Sequence, residues 1–147
     1  MTTTPVVDAR VIGLAHYASR AVLEGVLVPY GVSFRQNVAL RLAALADGPS
    51  GRDALVDGIV GTLKVDASDA HGTVDELVSA GLLTEEEPSR IRITDAGRQL
   101  YAKVSAETGA VAARIYAGIP EEDRVVAGRV LTLITERANA ELTTLKK

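Results

Sequence analysis

Apolar residues return every three or four positions across residues 6–30, at Val11, Leu14, Ala15, Ala18, Val22 and Val26. That spacing lines them up on one side of a helix. Val7, Ile12, Leu23 and Leu27 widen the apolar surface beyond one stripe, which predicts a helix covered from two directions. Pro29, Tyr30 and Gly31 end it. Ser33, with Gln36 three residues on, has the pattern of a capping box. It opens a second helix with Val38, Leu42 and Leu45 as the apolar face. Asp47-Gly48-Pro49-Ser50-Gly51 is a break. A third helical segment over 52–64 turns Leu55, Ile59, Val60 and Leu63 inward, with Gly58 and Gly61 weakening it toward an irregular stretch. A fourth helix starts at Asp66 or Ser68, runs to Ala80 and buries Val74, Leu77 and Val78. Gly81 follows, at the position that favours a left-handed backbone.

The period then changes. Leu83-Thr84-Glu85 and Arg90-Ile91-Arg92-Ile93 alternate apolar with polar, as strands do, and Glu86-Glu87-Pro88-Ser89 is the turn of a short hairpin. Thr94 caps a fifth helix, with Asp95 in its first turn, that runs through Leu100, Val104, Val111 and Ile115 to about Ala117. Gly118 stops it. Pro120 takes the first position of a last helix whose opening turn holds Glu121, Glu122 and Asp123. Val126, Val130, Leu133, Ile134, Ala138, Leu142 and Leu145 form its apolar stripe, and Lys146 and Lys147 complement its dipole.

Composition narrows the chemistry. A chain of 147 residues fits one domain with helical extensions and needs no staples to fold. With no cysteine, disulfides, thiolate metal sites and cysteine nucleophiles are excluded. His71 and Asp75, four apart on one helix face with Asp69 nearby, are too few for a metal site, and a solvated acidic face explains them better. Gly58-Ile59-Val60-Gly61 lacks the Lys-Ser/Thr of a phosphate loop, and no Gly-x-Ser-x-Gly or His-Glu-x-x-His stands in the chain. The expectation is a protein that is not an enzyme and carries no cofactor and no metal. Residues 1–8 lack a basic stretch followed by an apolar run, and Arg10, Arg20, Glu24 and Arg41 interrupt the apolar stretches before about 20 residues. A cytoplasmic protein with no membrane partner is expected.

Helix, helix, groove-type helix and hairpin, in that order, make a winged helix-turn-helix, here with long helices on both sides. The chain resembles the MarR family of transcriptional regulators over nearly its whole length. Ala80-Gly81-Leu82-Leu83 followed by Ile91-Arg92-Ile93-Thr94-Asp95-Ala96-Gly97-Arg98 is similar to that family's pattern around its wing. Ile119-Pro120-Glu121-Glu122-Asp123 is similar to the start of its last helix, and Gly31-Val32-Ser33-Phe34-Arg35-Gln36 to the start of its second. The resemblance implies a mainly α fold with a small β-hairpin wing. Residues 31–93 would be the DNA-binding winged helix, and 6–30 with 94–147 the helical dimerisation region. It also implies a ligand-responsive homodimer on a pseudo-palindromic promoter site. Apart from the family name, the apolar stripes on the end helices exceed what a winged helix of 60-odd residues covers, which points to a second copy. A two-fold pair would set two groove helices roughly 34 Å apart.

In that arrangement Ser68, Asp69, His71 and Gly72 lie near the groove-facing end of the fourth helix. Arg52 and Lys64 are placed for phosphates, and Arg90 and Arg92 reach from the wing to backbone or minor groove. A small aromatic or anionic effector, which the resemblance implies, would meet His16, Tyr17, Arg20, Tyr30, Phe34 and Tyr101. Three of the five aromatic residues, Tyr17, Tyr30 and Phe34, fall near one predicted junction, although core packing accounts for them as well. One feature opposes DNA. From Asp66 to Glu87 the chain has seven acids (Asp66, Asp69, Asp75, Glu76, Glu85, Glu86, Glu87) and no Lys or Arg, whereas affinity for a duplex comes largely from neutralised phosphates. The alternative it raises is a winged-helix protein–protein interaction module with weak or lost DNA binding.

Overall fold

The structure, a computed structural model, describes residues 4–46 and 48–146; Asp47 of the predicted break and Lys147 of the final dipole complement lie outside them. Two compact units divide the chain, one ending at Ala110 and the other beginning at Val111.

The first unit opens with α1 (Ala9–Leu27), capped by Asp8, whose carboxylate accepts from Val11 N. A 3-10 turn, Val28–Tyr30, closes it, and Gly31 takes a left-handed φ of 67°. Ser33 and Gln36 form the predicted capping box at the start of α2 (Phe34–Leu45). The residues that α2 buries fully are Ala39, Leu40 and Ala43; of the predicted face, Leu42 packs against this core, Val38 is half-buried and Leu45 is exposed. Apolar residues surround this helix, so periodicity does not single out a face. The alanines win because they let α2 approach its neighbours closely. Next, α3 (Arg52–Leu63) is regular through both glycines and buries Leu55, Val56 and Ile59. Burial of these three side chains holds the helix against the weak propensity of Gly58 and Gly61.

After α3, α4 (Ala67–Ser79) ends as predicted at Gly81, φ 77°. Leu82 N bonds to Leu77 O and Gly81 N to Val78 O, each at 3.0 Å, which satisfies the last carbonyls of the helix. The wing is β2 (Leu83–Glu86) and β3 (Arg90–Ile93), antiparallel, with Leu83 opposite Ile93. A third strand, β1 (Ser50–Gly51), pairs with the other edge of β3, giving the order β1-β3-β2. This strand was not expected: two residues show no alternation. Ile91 and Ile93 point into a core of Ala39, Leu40, Leu55, Val56, Ile59, Val74 and Leu77, so wing and helices share one interior. A smaller cluster of Leu27, Val32 and Val104 joins α1 to α5 (Asp95–Tyr116).

In the second unit, the last turns of α5 end at Gly118, φ 79°, and α6 (Glu121–Leu145) follows. Pro120 stands just outside α6 as its cap rather than at its first position, and its carbonyl accepts from Asp123 and Arg124. Over 25 residues α6 has no buried side chain. Val126, Leu133 and Leu142 of the predicted stripe are exposed. In the first unit α1 is similar: Leu14 and Tyr17 are exposed and only Leu27 is buried. Ala9–Tyr30 is in fact long and apolar enough to cross a membrane by length and composition, against the sequence expectation. Arg20 and Glu24 are two charges in a long run of apolar and small residues, too few to lower its mean hydropathy far.

Candidate nucleic-acid and effector sites

The face that α4 turns to solvent carries Ser68, Asp69, Gly72 and Asp75, with His71 half-buried beside them. Thr73, on the opposite side, is buried and donates to the Asp69 carbonyl, so the helix has a fixed inner and outer side. The acids of this face and of the wing are partly neutralised by arginines of α2, α3 and β3. Arg35 of α2 stands 3.9 Å from Asp69. Arg52 of α3 reaches Asp75 at 2.6 Å. Arg92 of β3 meets Glu86 across the hairpin at 2.6 Å. Asp66, Glu76, Glu85 and Glu87 have no salt-bridge partner among the described residues.

The cations expected at phosphates have local partners. Lys64, in a left-handed conformation at φ 58°, folds back so that Nζ donates to Gly61 O of its own helix. Arg90 donates to Pro49 O. Both side chains end at the surface on single carbonyls. Arg52 is different. Its guanidinium donates to His71 Nδ1 at 3.0 Å as well as to Asp75, and only 16% of its side chain is exposed. His71 and Asp75 thus share an arginine, and among the described residues no group of three metal-ligating side chains occurs.

Four of the six residues expected at an effector stand together. Arg20 lies 4.3 Å above the Phe34 ring, within range of a cation–π contact. His16 meets Phe34 edge-on at 6.5 Å and Tyr17 at 5.8 Å. Below this cluster is a crevice of about 390 Å³, lined by Arg20, Glu24, Val28, Ser33, Phe34 and Arg35. Sequence reasoning missed Arg35, which lines the crevice and whose guanidinium stands 3.9 Å from Asp69 of α4. The fifth residue, Tyr30, lines a separate crevice of about 420 Å³ with Gln36, Leu82, Gln99 and Lys103. The sixth, Tyr101, packs against the main core.

The Tyr30 hydroxyl donates to Glu107 Oε1 of α5. This hydrogen bond, with partial desolvation and the carboxylate's own charge, holds the Tyr30 phenol above its usual pKa of 10.0. The folded chain therefore keeps the proton at a pH where the unfolded chain has lost it. The stabilisation is complete below pH 10 and is lost as pH rises through the higher folded value. Accordingly, a Tyr30→Phe variant is expected to lose less stability than the parent chain in urea unfolding above pH 10. Parallel losses would remove the hydrogen bond from the account.

No protein-family model matches the chain, and no curated protein does. Solved structures do. CouR from Rhodococcus jostii RHA1, determined bound to p-coumaroyl-CoA, is 25% identical, with a TM-score of 0.73 over 85% of this chain and 88% of its own. A MarR family transcriptional regulator from Rhodococcus sp. RHA1 is also 25% identical, with a TM-score of 0.71 over 85% of this chain and 89% of its own. One from Streptomyces coelicolor shares the fold at 22% identity, with a TM-score of 0.72 over 88% of this chain and 92% of its own.

Proposed function

From the MarR family winged-helix fold that the chain shares with these transcriptional regulators, we propose that it is a DNA-binding regulator that works as a homodimer on a pseudo-palindromic promoter site and answers to a small ligand. The observation that carries this reading is the placement of α4. Its outer face is open at the end where Ser68, Asp69 and Gly72 stand, and the wing projects beside it on a shared core. Lys64, Arg90 and Arg92 are assigned to the DNA backbone in this reading, and Ser68, Asp69, His71 and Gly72 to the groove. Asp69 can accept from a cytosine amine, so a carboxylate there need not oppose binding. Residues 31–93 are the DNA-binding part, with 6–30 and 94–147 forming the pairing region. The uncovered apolar positions on α1 and α6 support that division, because a second copy would bury them. No membrane and no catalysis are invoked.

The effector belongs in the crevice beneath Arg20 and Phe34. A ligand with an aromatic ring and an anionic group, such as the p-coumaroyl-CoA bound by CouR, suits the Phe34 face and the two arginines. An anion that draws Arg35 toward the crevice also draws it from Asp69 on α4, which links the ligand to the groove helix. Such couplings are typically worth about 1–3 kcal/mol.

Fluorescence anisotropy on promoter duplexes across a salt series tests the DNA reading. The expected result is a linear fall of log affinity with log salt, with a slope of about −0.9 for each phosphate neutralised. The acidic residues left without partners on α4 and the wing favour the second reading, a protein–protein interaction module. Absence of binding at low salt would overturn the first reading and favour that alternative.

A further inference from the structure

Arg52 stands where wing, α3 and α4 meet. Its backbone N–H donates to Ser89 O in the wing turn at 2.6 Å. Its Nε donates to His71 Nδ1 at 3.0 Å, and its Nη2 donates to His71 O at 3.3 Å and to Asp75 Oδ1 at 2.6 Å. One residue therefore ties the wing turn to two successive turns of the groove helix. A phosphate contact needs a guanidinium that reaches into solvent with its donors free. This one is turned inward, while the carboxylate it holds is 67% exposed on the α4 surface.

We propose that Arg52 is a positioning residue for DNA recognition: it fixes the rotation of α4 relative to the wing and cancels the charge of Asp75, so that an acidic helix can enter the groove of a polyanion. The proposal rests on the DNA-binding reading above. Its physical basis is that the guanidinium fork satisfies three acceptors in fixed directions, which a lysine ammonium on a flexible stem does not reproduce. Without Arg52, Asp75 keeps a full negative charge toward the duplex and α4 loses its tie to the wing. The pairs Arg35–Asp69 and Arg92–Glu86 offset charge in the same region but are open to solvent on both sides, so they contribute less.

The test is anisotropy with a fluorescein-labelled duplex enriched from a random pool by the wild-type chain, across a KCl series, after thermal melts confirm that each variant folds. Arg52→Lys keeps the charge and loses the fork. It is expected to bind about tenfold more weakly, the size of a lost hydrogen bond to a charged group, with an unchanged salt slope. Arg52→Gln is expected to bind more weakly still with the same slope, and adding Asp75→Asn to it should recover part of the loss. Wild-type affinity in Arg52→Lys would overturn the proposal. So would a slope shallower by about 0.9 in Arg52→Gln with no recovery on adding Asp75→Asn, since both mark a phosphate contact. If Arg52→Gln does not fold, Arg52→Lys decides alone. A wild-type chain that enriches no duplex would overturn the DNA-binding reading and this proposal with it. Wild-type binding with a fully active Arg52→Lys would overturn the proposal only.

Discussion

Gly97→Ala is expected to destabilise the fold by about 3 kcal/mol or more, the upper end for an overpacked interior. Gly97 is buried at the start of α5. A Cβ there would lie 2.2 Å from Leu82 O and 2.7 Å from Ile93 Cγ1. Neither neighbour can yield cheaply. The Leu82 carbonyl accepts from Thr94 N at 3.1 Å, and Leu82 N is part of the α4 cap. Thr94 Oγ1 donates to Gly81 O at 2.7 Å and accepts from Gly97 N at 3.0 Å. Ile93 is buried in the main core. The methyl group would therefore force apart the end of α4, the exit of the wing and the start of α5 together. Urea unfolding of the two chains measures the effect, and a loss under about 1 kcal/mol would show that this junction relaxes freely.

That junction also shows what could be read before the structure. The pattern Gly81-Leu82-Leu83, then Ile91 to Gly97, carries the family resemblance, and each of its polar or small members has a local task. Gly81 supplies the left-handed turn, Thr94 the cap and Gly97 the close approach. The approach of Gly97 to Leu82 O spans fifteen residues and does not show in the spacing. The first two tasks depend on residues a few positions apart, so spacing reveals them. The Ser33–Gln36 box and the strand alternation of Arg90–Ile93 were accessible for the same reason. The buried face of α2 was not, since Val38, Leu42 and Leu45 compete with Ala39, Leu40 and Ala43 and only the neighbouring helices decide between them. Of the residues expected at an effector, Arg20 and Phe34 meet, but Tyr101 packs against the core, because spacing along the chain does not show which aromatic ring the interior takes up. The charge conflict looked sharper in the sequence than in the fold. The arginines that face Asp69 and Asp75 lie on α2 and α3, and Arg52 is 23 residues from Asp75. No local pattern announces a pairing across that distance.

The second large effect concerns assembly. Val126 and Leu133 lie seven residues apart on one side of α6, 49% and 43% exposed. In a single chain, replacing both by Asp removes little buried surface and leaves the fold intact. In a two-fold pair, each substitution enters the interface twice. If each of the four substituted positions in the pair costs about 1 kcal/mol, the lower bound for residues that matter at an interface, the double variant should raise the dissociation constant by about a thousandfold. Sedimentation equilibrium at micromolar concentration should then give twice 15.4 kDa for the parent chain and 15.4 kDa for the variant. A parent chain with the lower mass would remove the pairing, and a variant with the higher mass would place it elsewhere than α6.

Under the proposed function, paired chains present two groove helices to one duplex. Repeated selection from a random-sequence duplex pool with the wild-type chain reads that arrangement directly. The account predicts an inverted repeat whose half-sites are centred about 10 base pairs apart, one turn of the duplex. A pool that stays random through every round, or one that converges on a single half-site, would contradict it.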